Sequence, residues 1–97
     1  MTKIAIFGAG AWGEIALEKI GKERVGYFLD NDFNRQYTKF HDIEIISLED
    51  FLPLKNRYHV VVASLLYASE MEKQLKELGI TDYSNVIKYK KYFERMN

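Results

Sequence analysis

A chain of 97 residues, 47% hydrophobic and 29% charged, has the size of about one domain and the balance of a globular protein rather than a disordered one. Its 14 basic and 14 acidic residues leave a formal net charge of +0, so no overall field draws it to nucleic acid or anionic lipid, and neither is expected as a partner. The absence of cysteine excludes disulfides, thiolate nucleophiles and Cys-based zinc sites.

No metal is expected. The apolar runs fall short of the ~20 residues of a membrane helix. With a strand pattern at the N-terminus and no signal peptide visible, a reducing cytoplasm is the expected setting.

The first element is a buried strand at Lys3–Phe7, short and apolar and closed by Gly8. A helix is expected from Ala11, with Gly13, Ala16, Leu17 and Ile20 on one inward face and Gly21 as its stop. Arg24–Leu29 reads as a second strand ending at Asp30. The polar stretch NDFNRQYTKFHD reads as a loop with at most one helical turn, and Glu44–Ile46 as a short peripheral strand. Ser47 opens a helix with Asp50 three residues on, in the manner of a capping box, and Pro53 helps to finish it. Tyr58–Ala63 is a third apolar strand, rich in β-branched residues.

The following helix is expected to start near Ser64 and to carry Tyr67, Met71, Leu75 and Leu78 on its core stripe until Gly79. Asn85–Tyr89 reads as a last strand, and KKYFERMN as the start of another helix. Strands alternating with helices call for parallel βαβ units with right-handed crossovers. The expected fold is therefore α/β, a small three-layer Rossmann-like domain with a mostly parallel sheet of about five strands. Its ligand edge lies where the first and third strong strands end.

The turn between the first strand and helix is GAGAWG, a GxGxxG spacing. The motif alone is weak. It gains weight because it follows a strand, opens a helix, and precedes Asp30 at the end of the next strand, near the ~20-residue offset of a dinucleotide site. Gly8 permits the tight turn, Gly10 leaves room for a pyrophosphate, and Gly13 lets the helix approach the strand. The helix N-terminus, at Gly10, Ala11, Trp12 and Gly13, favours an anion.

Asp30 is expected on the ribose hydroxyls, with Asn31 beside it. Its charge favours NAD or a nucleoside diphosphate over NADP, and Arg35 is the one nearby cation that argues otherwise. Trp12 faces either the pocket rim or the core. Ser64, on the same edge, either caps the next helix or bonds the ligand. Close helix–strand packing alone would also ask for Gly8 and Gly13.

Catalytic groups are harder to find. No Tyr is followed four residues later by Lys, no lysine of a P-loop follows the glycines, and neither His41 nor His59 has an evident acid–base partner. No catalytic residue is assigned.

KIAIFGAGAWGEIALEKI, GYFLDND, IEIISLEDF and YHVVVAS together resemble the Rossmann-like N-terminal domain of bacterial sugar O- and N-acyltransferases of the left-handed β-helix type. Related domains occur in nucleotide-sugar dehydratases and other polysaccharide-biosynthesis proteins. The resemblance runs from Lys3 to about Tyr89 and implies a nucleotide-sugar or NAD holder. The acyltransferases usually carry a histidine where this chain has Trp12, and no hexapeptide repeat follows.

The expected function is thus a nucleotide-binding module of surface-glycan metabolism, taking NAD or a nucleotide sugar. Residues 1–97 are expected to form one domain, free-standing or the N-terminal module of a longer protein, working with a second copy of itself or a catalytic domain. A complete small oxidoreductase or epimerase, and a ligand-free interaction scaffold, are the alternatives.

Overall fold

A computed structural model describes residues 3–86 of the chain. Strand β1 (Lys3–Phe7) is buried from Ile4 onward, which is why its sequence is continuously apolar rather than alternating. It pairs in parallel with β2 (Val25–Leu29) on one side and β5 (Tyr58–Val62) on the other. The sheet continues outward through β4 (Ile43–Ile46) to β3 (Lys39–Phe40), and through β6 (Tyr83–Asn85) at the opposite edge. Its order is β3-β4-β2-β1-β5-β6, and every pairing is parallel except β3 with β4.

Alternation along the strands divides the apolar residues between two cores, one on each face of the sheet. Ile4, Ile6, Phe28 and Val61 join Ala16 and Leu17 of helix α1 (Ala11–Ile20). Ala5, Phe7, Leu29, Val60 and Val62 join Leu48 and Phe51 of α2 (Leu48–Phe51), and Ala68, Met71 and Leu75 of α3 (Ala68–Glu77). Helices on both faces of a mostly parallel sheet make this a three-layer, doubly wound Rossmann-like fold. Among the described residues no helix is long and apolar enough to cross a membrane.

Most local signals act where they are expected. Gly21 sits at φ +100° and its N–H closes α1 on the Leu17 carbonyl. The Ser47 hydroxyl accepts the Asp50 N–H at 3.1 Å and opens α2. Pro53 falls in the first turn of the 3₁₀ helix Leu52–Arg57 that follows α2.

Four places differ. The sheet has six strands because the polar stretch contains β3, joined to β4 by His41 and Asp42 at φ 52° and 66°. That is the backbone of a two-residue mirror-type hairpin turn, usually signalled by Asn-Gly rather than His-Asp. In consequence β4 is not peripheral: it lies second from the edge, with Ile43, Ile45 and Ile46 buried.

Helix α3 starts at Ala68 instead of near Ser64, because the Ser64 hydroxyl accepts the Tyr67 N–H at 3.1 Å and holds residues 64–67 in a turn. Tyr67 therefore leaves the core stripe and is 61% exposed, while Ala68 takes the inward position. Finally, β6 ends at Asn85, where the expected last strand begins, and Val86 lies in a turn. Residues 87–89 of the expected strand and the expected tail helix lie outside the described residues.

Candidate functional site

β2 and β4 leave β1 on one side and β5 on the other, so a crevice opens where β1 and β5 end, at Gly8 and Ala63. The Gly8 N–H donates to the Leu29 carbonyl at 2.7 Å and the Ala63 N–H to the Phe7 carbonyl at 2.8 Å. These two bonds fix the turn across the three central strands. Above them lies a cleft of about 680 Å³, within the 300–1,000 Å³ range typical of small-molecule sites.

The three glycines do different work. At Gly8, φ is +118° and a Cβ would lie 2.5 Å from the Ala63 carbonyl oxygen. At Gly13 a Cβ would lie 2.0 Å from the Gly8 carbonyl oxygen and 3.3 Å from the Phe28 ring. Both are demanded by packing. Gly10 is not: its φ is −119°, and a Cβ would meet only the Arg35 guanidinium, at 3.5 Å. The backbone at Gly10 is bare toward the cleft although packing does not require it.

Helix α1 begins at Gly10 without a side-chain cap. The N–H groups of Ala11, Trp12 and Gly13 are those a helix leaves without an intrahelical acceptor. Together with the dipole they form an anion-favouring end at the cleft wall.

Asp30 crosses to this turn. Its Oδ2 accepts the Ala9 N–H at 2.9 Å and lies 3.3 Å from Arg35 Nη1, and its Oδ1 accepts the Asp32 N–H at 2.9 Å. An ionised carboxylate has about four acceptor sites, so these contacts leave room for one further donor, and for more if Arg35 swings out. Arg35 also lies 3.7 Å from Asp32 and is half-exposed, so the ion pairs are weak and the guanidinium can be redirected to an incoming anion.

Of the residues expected at the site, Gly8, Gly10, Ala11, Trp12, Asp30, Asn31 and Ser64 line one cleft, and Gly13 lies beneath it. Trp12 is divided between roles, packing on the core of the α1 face while lining the cleft. Ser64 caps its own turn. Asn31 is engaged with Gln74 of α3 through two reciprocal amide bonds, at 2.9 and 3.2 Å.

Tyr67 and Met71, which helical periodicity places on the core stripe, also line the cleft, as do Gln74 and the exposed Leu65 and Leu66, which the sequence did not mark for it.

His59 needs a correction. The sequence shows it no partner, yet its Nδ1 lies 2.7 Å from Asp82 and its Nε2 2.9 Å from Ser84. Both come from the segment around β6, 23 and 25 residues on, a separation no local pattern reveals. The cluster sits at the opposite end of β5 from the cleft and ties the edge strand down. His41 pairs with Glu14 at 3.2 Å, away from the cleft lining. Among the described residues no three His, Cys, Asp or Glu side chains gather closely enough to hold a metal.

The model of the C2185-like, N-terminal family matches residues 1–86. The chain belongs to this family. Two solved structures share the fold of this C2185-like domain. The Rex-family repressor RSP matches with a TM-score of 0.66 and 19% identity, over 88% of this chain and 44% of the repressor. RSP in complex with β-NAD+ and operator DNA matches with a TM-score of 0.66 and 18% identity, over 88% of this chain and 43% of RSP. The C2185-like chain thus spans less than half of each, and at such identities the likeness establishes the fold.

No curated protein matches the C2185-like chain. The sugar-acyltransferase and dehydratase resemblance finds no support in the family or in these structures. The expectation of no nucleic-acid partner is also corrected: a neighbour of the same fold is a complex with operator DNA, and a net charge of zero does not govern what a longer or assembled protein binds.

Proposed function

We propose that the domain is a nucleotide-binding module whose ligand is NAD, held by its diphosphate on the glycine turn. The observation that carries this reading is Gly10, a bare backbone position that packing does not require, facing the cleft beside an uncapped helix end. Two further facts support it. Asp30 is anchored between the turn and the β2 end, where a ribose hydroxyl could donate to it. A Rex-family neighbour of the same fold is a β-NAD+ complex.

In this reading the N–H groups of Ala11 and Trp12 bind the diphosphate and Asp30 orients the ribose. Bound NAD would supply a hydride-accepting nicotinamide. The chain itself binds and orients, since these contacts stabilise ground and transition states alike. The domain then serves, in the cytoplasm, as one part of a larger protein or assembly.

The test is a thermal-shift panel of NAD+, NADP+, ADP, UDP, a UDP-sugar and inorganic phosphate, on the wild type and Gly10→Val. A ligand at 100 times Kd adds about 2.7 kcal/mol, or on the order of 10 °C for a domain this small. NAD+ is expected to raise the wild-type Tm by that amount and leave Gly10→Val unmoved. Flat curves across the panel at millimolar ligand would put the scaffold reading ahead. A response to the UDP-sugar alone would return the glycan reading. Fluorescence anisotropy with duplex DNA, with and without NAD+, belongs beside the panel because the neighbour holds both.

A further inference from the structure

The Arg35 guanidinium stands over the bare turn. Its Nη1 lies 3.5 Å from where a Gly10 Cβ would be, so a diphosphate reaching the Gly10 backbone must meet it. There it is held by carboxylates, 3.3 Å from Asp30 and 3.7 Å from Asp32. Among the described residues lining the cleft, Arg35 is the one cation, against Asp30, Asp32 and Glu70. A diphosphate that pushed Arg35 aside into solvent would face three carboxylates with only backbone N–H groups in its favour. The Arg35 main chain is fixed separately: its N–H donates to the Asp32 carbonyl at 3.0 Å, and its carbonyl accepts the Thr38 hydroxyl at 2.6 Å. Only the half-exposed side chain is left to move.

The geometry points to an exchange: on binding, Arg35 leaves Asp30 and Asp32 for the diphosphate and frees Asp30 for the ribose. This rests on the nucleotide-binding reading above and adds the residue that couples its two contacts. A guanidinium forks onto phosphate oxygens as it does onto a carboxylate, with charge-assisted bonds. The pairs it gives up are long and reach solvent, so they hold it weakly. What it gains is a doubly negative partner beside a helix N-terminus, where an anion is already favoured. Asp30 keeps the Ala9 and Asp32 N–H bonds that fix its orientation, and its Oδ2 exchanges the guanidinium for a hydroxyl donor. One movement thus neutralises the diphosphate and opens the ribose acceptor.

The test is isothermal titration of inorganic pyrophosphate into the full chain, Arg35→Ala, Asp32→Asn, the double variant and Gly10→Val. Pyrophosphate has no ribose, so its affinity separates Arg35 from any hydroxyl contact at Asp30. Asparagine keeps an acceptor for the Asn34 N–H that Asp32 holds at 2.9 Å and removes only the competing charge. Arg35→Ala is expected to weaken pyrophosphate about tenfold or more, the loss of one charge-assisted bond. Asp32→Asn is expected to tighten it about two- to fivefold, by releasing the guanidinium from a surface ion pair. In the Arg35→Ala background that gain is expected to vanish. Full wild-type affinity in Arg35→Ala, with Gly10→Val abolishing binding, overturns the exchange and leaves the diphosphate reading standing. An Asp32→Asn gain of equal size with and without Arg35 also overturns it, since the aspartate then acts on the anion alone. No pyrophosphate binding by the wild type overturns both.

Discussion

Gly10 and Gly13 carry the same chemical question, one added methyl, and the structure gives it opposite answers. In Gly13→Ala the methyl would lie 2.0 Å from the Gly8 carbonyl oxygen, so α1 has to move off the turn by about an ångström. Overpacking of this kind costs about 1–3 kcal/mol or more, and a backbone obstacle places it at the upper end. The helix propensity of alanine over glycine returns about 1 kcal/mol. A net loss of about 2 kcal/mol lowers Tm by roughly 8–16 °C for a domain this small.

In Gly10→Ala the methyl meets only Arg35, at 3.5 Å, and φ is negative. The poorer helix N-cap costs about 0.5–1 kcal/mol, and the stiffer unfolded chain returns about 0.4–1 kcal/mol. Tm should stay within about 4 °C. NAD+ affinity should nevertheless fall about ten- to a hundredfold, through loss of a charge-assisted bond of about 1.5–3 kcal/mol. Circular-dichroism melts and isothermal titration on both variants separate the two effects. Gly13→Ala melting with the wild type, or Gly10→Ala binding NAD+ as tightly as the wild type, would refute the division of roles.

Asp30→Ala should cost about 2 kcal/mol by freeing the Ala9 and Asp32 N–H groups, and should weaken NAD+ more than pyrophosphate; equal losses for the two would remove Asp30 from the ribose. Replacing His41 and Asp42 by Asn and Gly should stabilise the hairpin by about 1 kcal/mol, because both residues sit at positive φ; urea denaturation reads this directly. Burial raises the Tyr58 phenol above its ordinary value of 10.0. The folded state then holds that proton where the unfolded chain releases it, so stability is complete below pH 10 and declines as pH rises through the folded pKa. Tyr58→Phe should flatten that alkaline decline in melts taken between about pH 9 and 11.

The parts of this fold that were readable in the sequence are those fixed by short-range chemistry. β1, β2, β5 and the inward face of α1 follow from apolar period, the start of α2 from one hydroxyl, and the glycine turn from spacing. What was not readable depends on residues far apart or on unusual turns. The β3–β4 hairpin turns on His41 and Asp42, residue types tolerated at positive φ but lacking the Asn-Gly signature that would mark the turn; ion pairs to Glu14 and Lys22 surround it. Tyr67 fits a helical stripe by period, and a single Ser64 hydrogen bond takes it out. Asn31 meets Gln74, and His59 meets Asp82 and Ser84, only because the sheet order brings them together. The spacing already gives the three glycines different roles, with packing a sufficient reason for Gly8 and Gly13, and the space around each Cβ direction separates Gly10 from the other two in the same way.

The central claim is that the bare turn at Gly10 receives a diphosphate. An NMR titration of NAD+ into the ¹⁵N-labelled chain tests it most directly. The account predicts that the amides of Gly10, Ala11 and Trp12 shift together along one saturation curve, with inorganic pyrophosphate moving the same set. Shifts confined to residues away from the turn, or no shifts at millimolar NAD+, would contradict it.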